Sequence, residues 1–235
     1  MEQTDLAGQI QKLQKSQRRL TMYCAGSTVL ILSGLLMGLA PIKNAKFDVL
    51  DVQRINIKEP DGTIRLTIAN RALFPGAFIK NKEVKHPRPM AGMLFFNDEG
   101  TENGGLIFNG SLGKDGKPSS GLSLTFDRYQ QDQQLQLLGV DDGGAHFAGL
   151  TFNDVADGLE RPVFSDTDNR LSEQGNYAIT KRVFLGKTAS KNSALQLLDA
   201  HGKARLELKV TAEGQAEIVF LDENGKPAKT ISAVR

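Results

Sequence analysis

Val52-Gln53-Arg54-Ile55-Asn56-Ile57-Lys58, then Pro60-Asp61-Gly62, then Ile64-Arg65-Leu66-Thr67-Ile68 is where this chain declares its architecture. Apolar and polar residues mostly alternate on both sides of a turn-forming Pro-Asp-Gly, which is the signature of a β-hairpin with one apolar face. The register places Ile55 and Ile57 together with Ile64, Leu66 and Ile68 on a face expected to be buried. Arg65 and Thr67 then fall on the other, expected to meet water.

The same grammar returns near the C-terminus. Leu195-Gln196-Leu197-Leu198-Asp199 leads through His201-Gly202-Lys203 into Ala204-Arg205-Leu206-Glu207-Leu208-Lys209-Val210, and Glu213-Gly214 turns the chain into Ala216-Glu217-Ile218-Val219-Phe220-Leu221-Asp222. Asn224-Gly225-Lys226 makes the next turn. Matching Gly202-Lys203 to Gly225-Lys226 gives a period of 23 residues, and Gly62-Thr63-Ile64-Arg65-Leu66 echoes Gly202-Lys203-Ala204-Arg205-Leu206, so the chain carries a degenerate internal repeat.

A second recurring element is an apolar run ending in Phe followed by Asn or Asp, at Phe96-Asn97, Phe108-Asn109, Phe126-Asp127 and Phe152-Asn153, with Phe220-Leu221-Asp222 as a variant. An inward Phe would close the core at a strand end while the next side chain bonds backbone amides to start a turn. The expectation is an all-β soluble domain over residues 47–235, built of repeated hairpins as a meander, a sandwich or an irregular solenoid. Residues 71–89, with Pro75, Pro87 and Pro89, and the polar residues 154–176 read as two long loops.

Ahead of this domain, residues 20–40 run without a charge, and as a helix at ~1.5 Å per residue they match the roughly 30 Å hydrocarbon thickness of a bilayer. The run is too long for a usual signal-peptide core and Pro41 follows it directly, so it reads as an uncleaved transmembrane signal anchor. Arg18 and Arg19 abut it, which favours a cytoplasmic N-terminus and a periplasmic or extracellular β domain on the inner membrane. Residues 1–19 form a basic amphipathic tail. There Leu6, Ile10 and Leu13, continuing to Gln17 and Leu20, are spaced as heptad a and d positions, while Gly34 and Gly38 make a small-xxx-small pair. Both patterns point to a homo-oligomer, and a helix lying on the membrane surface accounts for the first equally.

The charge balance, 29 Lys and Arg against 27 Asp and Glu, is too even for phosphate-backbone binding and argues against nucleic acid. The only cysteine, Cys24, lies in the uncharged run, so the β domain has neither disulfide nor cysteine-ligated zinc. No Gly-x-Ser-x-Gly elbow occurs, and glycines opening a helix after a strand are foreign to a hairpin chain, so serine-hydrolase and nucleotide chemistry are set aside. Asp98, Glu99 and Glu102, in a glycine-rich turn with Asn97 and Asn103, are hard oxygen donors suited to Ca2+. Asp141, Asp142 and His146 form a second cluster able to hold a metal or move a proton. Turn chemistry explains both clusters as well. Tyr129 and the glutamines that follow it read as a sugar- or peptide-binding face or as a polar connection.

The anchor together with residues 55–66 and 95–106 resembles bacterial single-pass membrane proteins with a β-hairpin-rich extracytoplasmic domain. The resemblance implies an envelope setting and carries no functional residue across. Two functions follow. The first is a membrane-anchored, oligomeric binding or scaffolding module that engages an envelope protein, a glycan or its own copies. The second is a carboxylate- or metal-dependent envelope hydrolase, which requires the Asp98 and Asp141 clusters to meet in one cleft.

Overall fold

The computed structural model describes residues 2–38, 44–84, 86, 88–155 and 179–233. It divides into two units, residues 1–51 and 52–235. The first carries α1 (Glu2–Gly38), one unbroken helix that takes in both the basic tail and most of the uncharged run. Its hydroxyls turn back on their own helix: Thr21 donates to the Gln17 carbonyl at 2.9 Å, Thr28 to Cys24 at 2.8 Å and Ser33 to Val29 at 2.8 Å. Among the described residues no helix is long and apolar enough to cross a membrane. Residues 39 and 40, the end of the expected span, lie outside the described residues.

The second unit is β throughout. Its strands are β1 (Arg54–Lys58), β2 (Ile64–Ala69), β3 (Ala77–Ile79), β4 (Lys82–Val84), β5 (Ala91–Phe96), β6 (Glu102–Leu112) and β7 (Pro118–Asp127). They continue as β8 (Gln133–Asp142), β9 (Ala145–Val155), β10 (Ile179–Lys187), β11 (Ser193–Leu198), β12 (Ala204–Val210), β13 (Ala216–Leu221) and β14 (Pro227–Ser232). Twelve of them make one antiparallel sheet in chain order, with only the β3–β4 hairpin set apart between β2 and β5. Of the three expected architectures, the meander is the one formed.

Identical turns explain that regularity. At residues 59–63, 97–101, 113–117, 188–192, 199–203, 211–215 and 222–226 the first N–H bonds the fifth carbonyl and the fourth N–H bonds the first carbonyl. Whereas residues 128–132 make the same two bonds with the positive φ one residue earlier, at Gln130, in these seven the fourth residue has positive φ and is Gly everywhere except Lys191. This is a type I turn closed by a bulge, which matches the right-handed twist of the strands it joins. Asp199 and Asp222 each accept N–H bonds two and four residues ahead, so the 23-residue period is a repeat of turns. Gly143 and Gly144, both at positive φ, make the tighter two-residue turn between β8 and β9.

Strand pairing places residues of one kind side by side across the whole sheet. Ile55 faces Ile68, which faces Met93, and the row continues through Leu106, Leu124, Leu137, Leu150, Leu185, Leu195, Leu208 and Ile218 to Ile231. A parallel row from Ile57 and Leu66 passes through Phe95, Gly104, Phe126, Leu135, Phe152, Val183, Leu197, Leu206 and Phe220, ending at Lys229. These rows form one aliphatic face. The opposite, mixed face carries Asn56, Thr67, Leu94, Thr125, Gln136, Thr151, Phe184, Gln196, Glu207 and Val219.

Burial runs largely opposite to the expectation, Ile64 apart, which packs as expected against the buried core. Thr67, expected in water, is 0% exposed, and Leu94, Thr125, Thr151, Phe184 and Val219 beside it are buried. Ile57, expected in a core, is 51% exposed, and Leu137, Leu185 and Ile231 are similarly open. Around Thr67 and Leu94 the reason is what covers that side. Residues 71–89, expected as an exposed loop, contain β3 and β4, whose Phe78 is buried with Leu94 and Phe96 and meets the Phe96 ring edge-on at 5.0 Å. Gly76 permits this, because a Cβ there would lie 2.1 Å from the Val84 carbonyl oxygen. The Phe-Asn motif needs a parallel correction. Phe96 closes the core, but Phe108, Phe126, Phe152 and Phe220 are exposed, and Phe108 and Phe152 lie inside strands with Asn109 and Asn153 starting no turn. The expected second loop, apart from residues 154 and 155 in β9, falls on residues 156–176, which lie outside the described residues.

Candidate functional site

The glycine-rich turn after β5 is held by its own side chains. Asn97 Oδ1 accepts from the Glu99 and Thr101 N–H groups at 3.0 and 2.9 Å, and Gly100 supplies φ +70 where a Cβ would meet Asn81 at 2.8 Å. Asn81 N–H bonds the Gly100 carbonyl at 3.1 Å and Lys80 N–H bonds Thr101 Oγ1 at 3.0 Å, so the tip of the β3–β4 hairpin is latched to this turn.

The three carboxylates proposed as calcium ligands point to three different partners. Asp98 pairs with Arg65. Glu99 accepts the Tyr129 hydroxyl at 2.9 Å, and this bond to a carboxylate raises the phenol's pKa. Glu102 is buried, and both of its oxygens accept from Arg88 Nη2, at 3.1 and 2.8 Å. In the second cluster Asp141 and His146 face each other across β8 and β9 with Nδ1 2.9 Å from the carboxylate, whereas Asp142 alternates to the opposite face opposite Ala145. Among the described residues no group of three His, Cys, Asp or Glu side chains is placed to hold a metal ion.

The two clusters occupy opposite ends of the sheet. Register carries Asp141 to Ser120 and Gly110, eight residues along β6 from Glu102, roughly 25 Å at ~3.3 Å per residue. A single cleft using both clusters is not formed. Tyr129 and Gln130 join the first cluster through Glu99, while Gln136 donates to Ser123 Oγ at 3.0 Å on the mixed face.

The largest feature is the aliphatic face, which the sequence reading assigned to a core. Within it, over β10 to β14, an open apolar groove of about 770 Å³ runs between Leu185, Leu195, Leu208, Ile218 and Ile231. Elsewhere on the face, on β8 to β10, polar groups stand at its margins, with Asp141 and His146 toward one end of the strands and the Asp154–Arg182 ion pair toward the other. Sequence alone held one clue to its openness. Nearly every strand supplies an apolar alternation, yet residues 71–89, which bring Phe74 and Phe78 to the sheet, pack on the other side, against Leu94 and Phe96. On α1, Ile10 and Leu13 are exposed and a Cβ on Gly34 would meet nothing within 4 Å; the Leu6 side chain and Gly38 lie outside what is described there.

Compared with known protein families and with curated proteins, the chain matches none of them.

Proposed function

We propose that this chain is a membrane-anchored, oligomeric scaffolding module of the bacterial cell envelope, whose β domain works by protein contact rather than by chemistry. The observation that carries the reading is the open aliphatic row of twelve strands, Ile55 to Ile231, with no charged residue in it. A soluble monomer rarely leaves an apolar patch larger than a few hundred Å² to water, and when one does, the patch marks an interaction site. Sheet faces of this kind are ordinarily packed on a second layer.

Support for the anchor comes from the uncharged run at residues 20–40 and from the hydroxyls of Thr21, Thr28 and Ser33, which are satisfied within their own helix and so need no water. Protease digestion of spheroplasts and of inverted membrane vesicles tests the reading. The β domain is expected in the membrane fraction, degraded in spheroplasts and protected in inverted vesicles. Recovery of the intact chain in the soluble fraction overturns the anchor, and degradation only in inverted vesicles overturns its orientation.

A further inference from the structure

We infer that the occupant of the aliphatic face is a second copy of this chain, so that two twelve-stranded sheets stack face to face as the layers of one sandwich. This rests on the reading of the domain as a protein-contact module and names its partner. Thirteen large apolar side chains of that face stand 37–52% exposed. At a few tens of Å² or more each they present on the order of 1,000 Å², above the roughly 800 Å² per partner of a stable protein interface. Apolar centre and polar margins are also how such interfaces are organised.

Size and chemistry exclude the bilayer as occupant. The apolar band is three residues of one face tall, about 14 Å at ~3.3 Å rise per residue, and a membrane-facing sheet needs a band about 25 Å tall. It is about 50 Å wide, at ~4.8 Å per strand, far longer than the contact a single peptide strand or helix would cover. A matching surface must therefore be equally wide and largely apolar, with Lys187 and Lys229 as charges within the band, and a copy of the same sheet, twisted in the same sense, is such a surface. A two-fold axis permits it, because an uncharged aliphatic row meets its own rotated image without placing like charges together. The axis that pairs the whole width passes between β8 and β9, the sixth and seventh strands in sheet order, beside Leu137 and Leu150. Independently, the exposed Ile10 and Leu13 of α1 sit at heptad spacing suited to pairing with the same residues of another copy.

The test uses the full chain with Cys24→Ser, so that one introduced thiol is unique. With Leu137→Cys, oxidation in intact cells should yield a disulfide-linked dimer, and the thiol should react with maleimide several-fold more slowly than in Gln136→Cys, the neighbour on the opposite face. Leu150→Cys, on the other side of the same axis, serves if the first variant does not fold. Leu137→Asp should weaken dimerisation of the purified protein at least tenfold, α1 pairing being left in place, with an unchanged β-sheet circular dichroism spectrum. A folded, monomeric, freely labelled Leu137→Cys protein overturns the inference, as does a face shielded in cells by a different protein. Fractionation of the same cells separates this from the functional reading. A monomer found in the membrane rejects the second copy and keeps the anchored module, whereas a dimer found in the soluble fraction keeps the stacked sheets and rejects the anchor.

Discussion

Arg88 and Glu102 form an ion pair at 2.8 Å with side chains only 11% and 7% exposed, joining the segment after β4 to the first residue of β6. A charge in that position is tolerated because its partner is fixed beside it. Removing one partner by Glu102→Leu or Arg88→Met takes the opposite charge from the buried side chain beside it, which should cost about 3–5 kcal/mol in urea unfolding. The double variant Arg88→Met with Glu102→Leu should recover most of that loss. If the two single losses simply add in the double variant, the pair is not coupled.

Phe184 lies over Gly149 on the neighbouring strand, where an added Cβ would come within 2.3 Å of the ring. Gly149→Ala should therefore displace the ring and cost about 1–3 kcal/mol, while Phe184→Ala should cost about 3–5 kcal/mol. In Gly149→Ala with Phe184→Ala the first penalty should vanish. Thermal unfolding of the four proteins reads this directly.

The seven related turns predict opposite outcomes at two positions. Lys191 holds φ +65 where its counterparts are glycine, and Gly225 holds φ +75 with nothing within 4 Å of a Cβ. Left-handed backbone costs an ordinary residue about 1 kcal/mol. Lys191→Gly should gain about 0.5 kcal/mol after the entropy of glycine is set against it, and Gly225→Ala should lose about 1 kcal/mol. Denaturation midpoints with unchanged slope are the measurement.

Asp199 supplies a pH dependence. Its carboxyl is held down at about 2, chiefly by the Lys203 N–H, then by the His201 N–H and the Arg205 guanidinium, with desolvation pulling the other way. A carboxyl lowered on folding stabilises the fold above its unfolded value of about 3.9, and the contribution is lost as pH falls from there toward about 2. Asp199→Asn should be less stable than wild type at pH 7, and the gap should close in acid unfolding below about pH 2. A gap independent of pH would assign the effect to turn geometry.

Hairpins, turns and the register of Ile55 and Ile57 against Leu66 and Ile68 were legible in the sequence, because period-two alternation and Asp-Gly or Asn-Gly turns are local signals. Which face is buried was not legible. Alternation says that Thr67 and Leu66 point opposite ways, but the covering element decides which of them meets water, and that element arises from residues 71–89, whose prolines and lysines disguised Phe74 and Phe78 as a loop. Asp98, Glu99 and Glu102 are neighbours by chain position. Their separate engagement with Arg65, Tyr129 and Arg88 depends on contacts fourteen to thirty-three residues away along the chain, beyond any local pattern.

Because each strand of the large sheet pairs with the one made just before it, the β3–β4 insertion apart, the fold can grow in one direction. A hairpin connection of three residues closes at little entropic cost, and short-range contacts make for rapid folding. A chain that arrives N-terminus first, from a ribosome or through a translocation channel, thus always meets a completed edge onto which its next strand can be added. Assembly by successive addition awaits a more distant segment only at the β2–β5 and β9–β10 steps. It also means that a truncation at a turn beyond β6, once the β3–β4 hairpin is packed, should leave a shorter sheet of the same kind rather than an unfolded remnant.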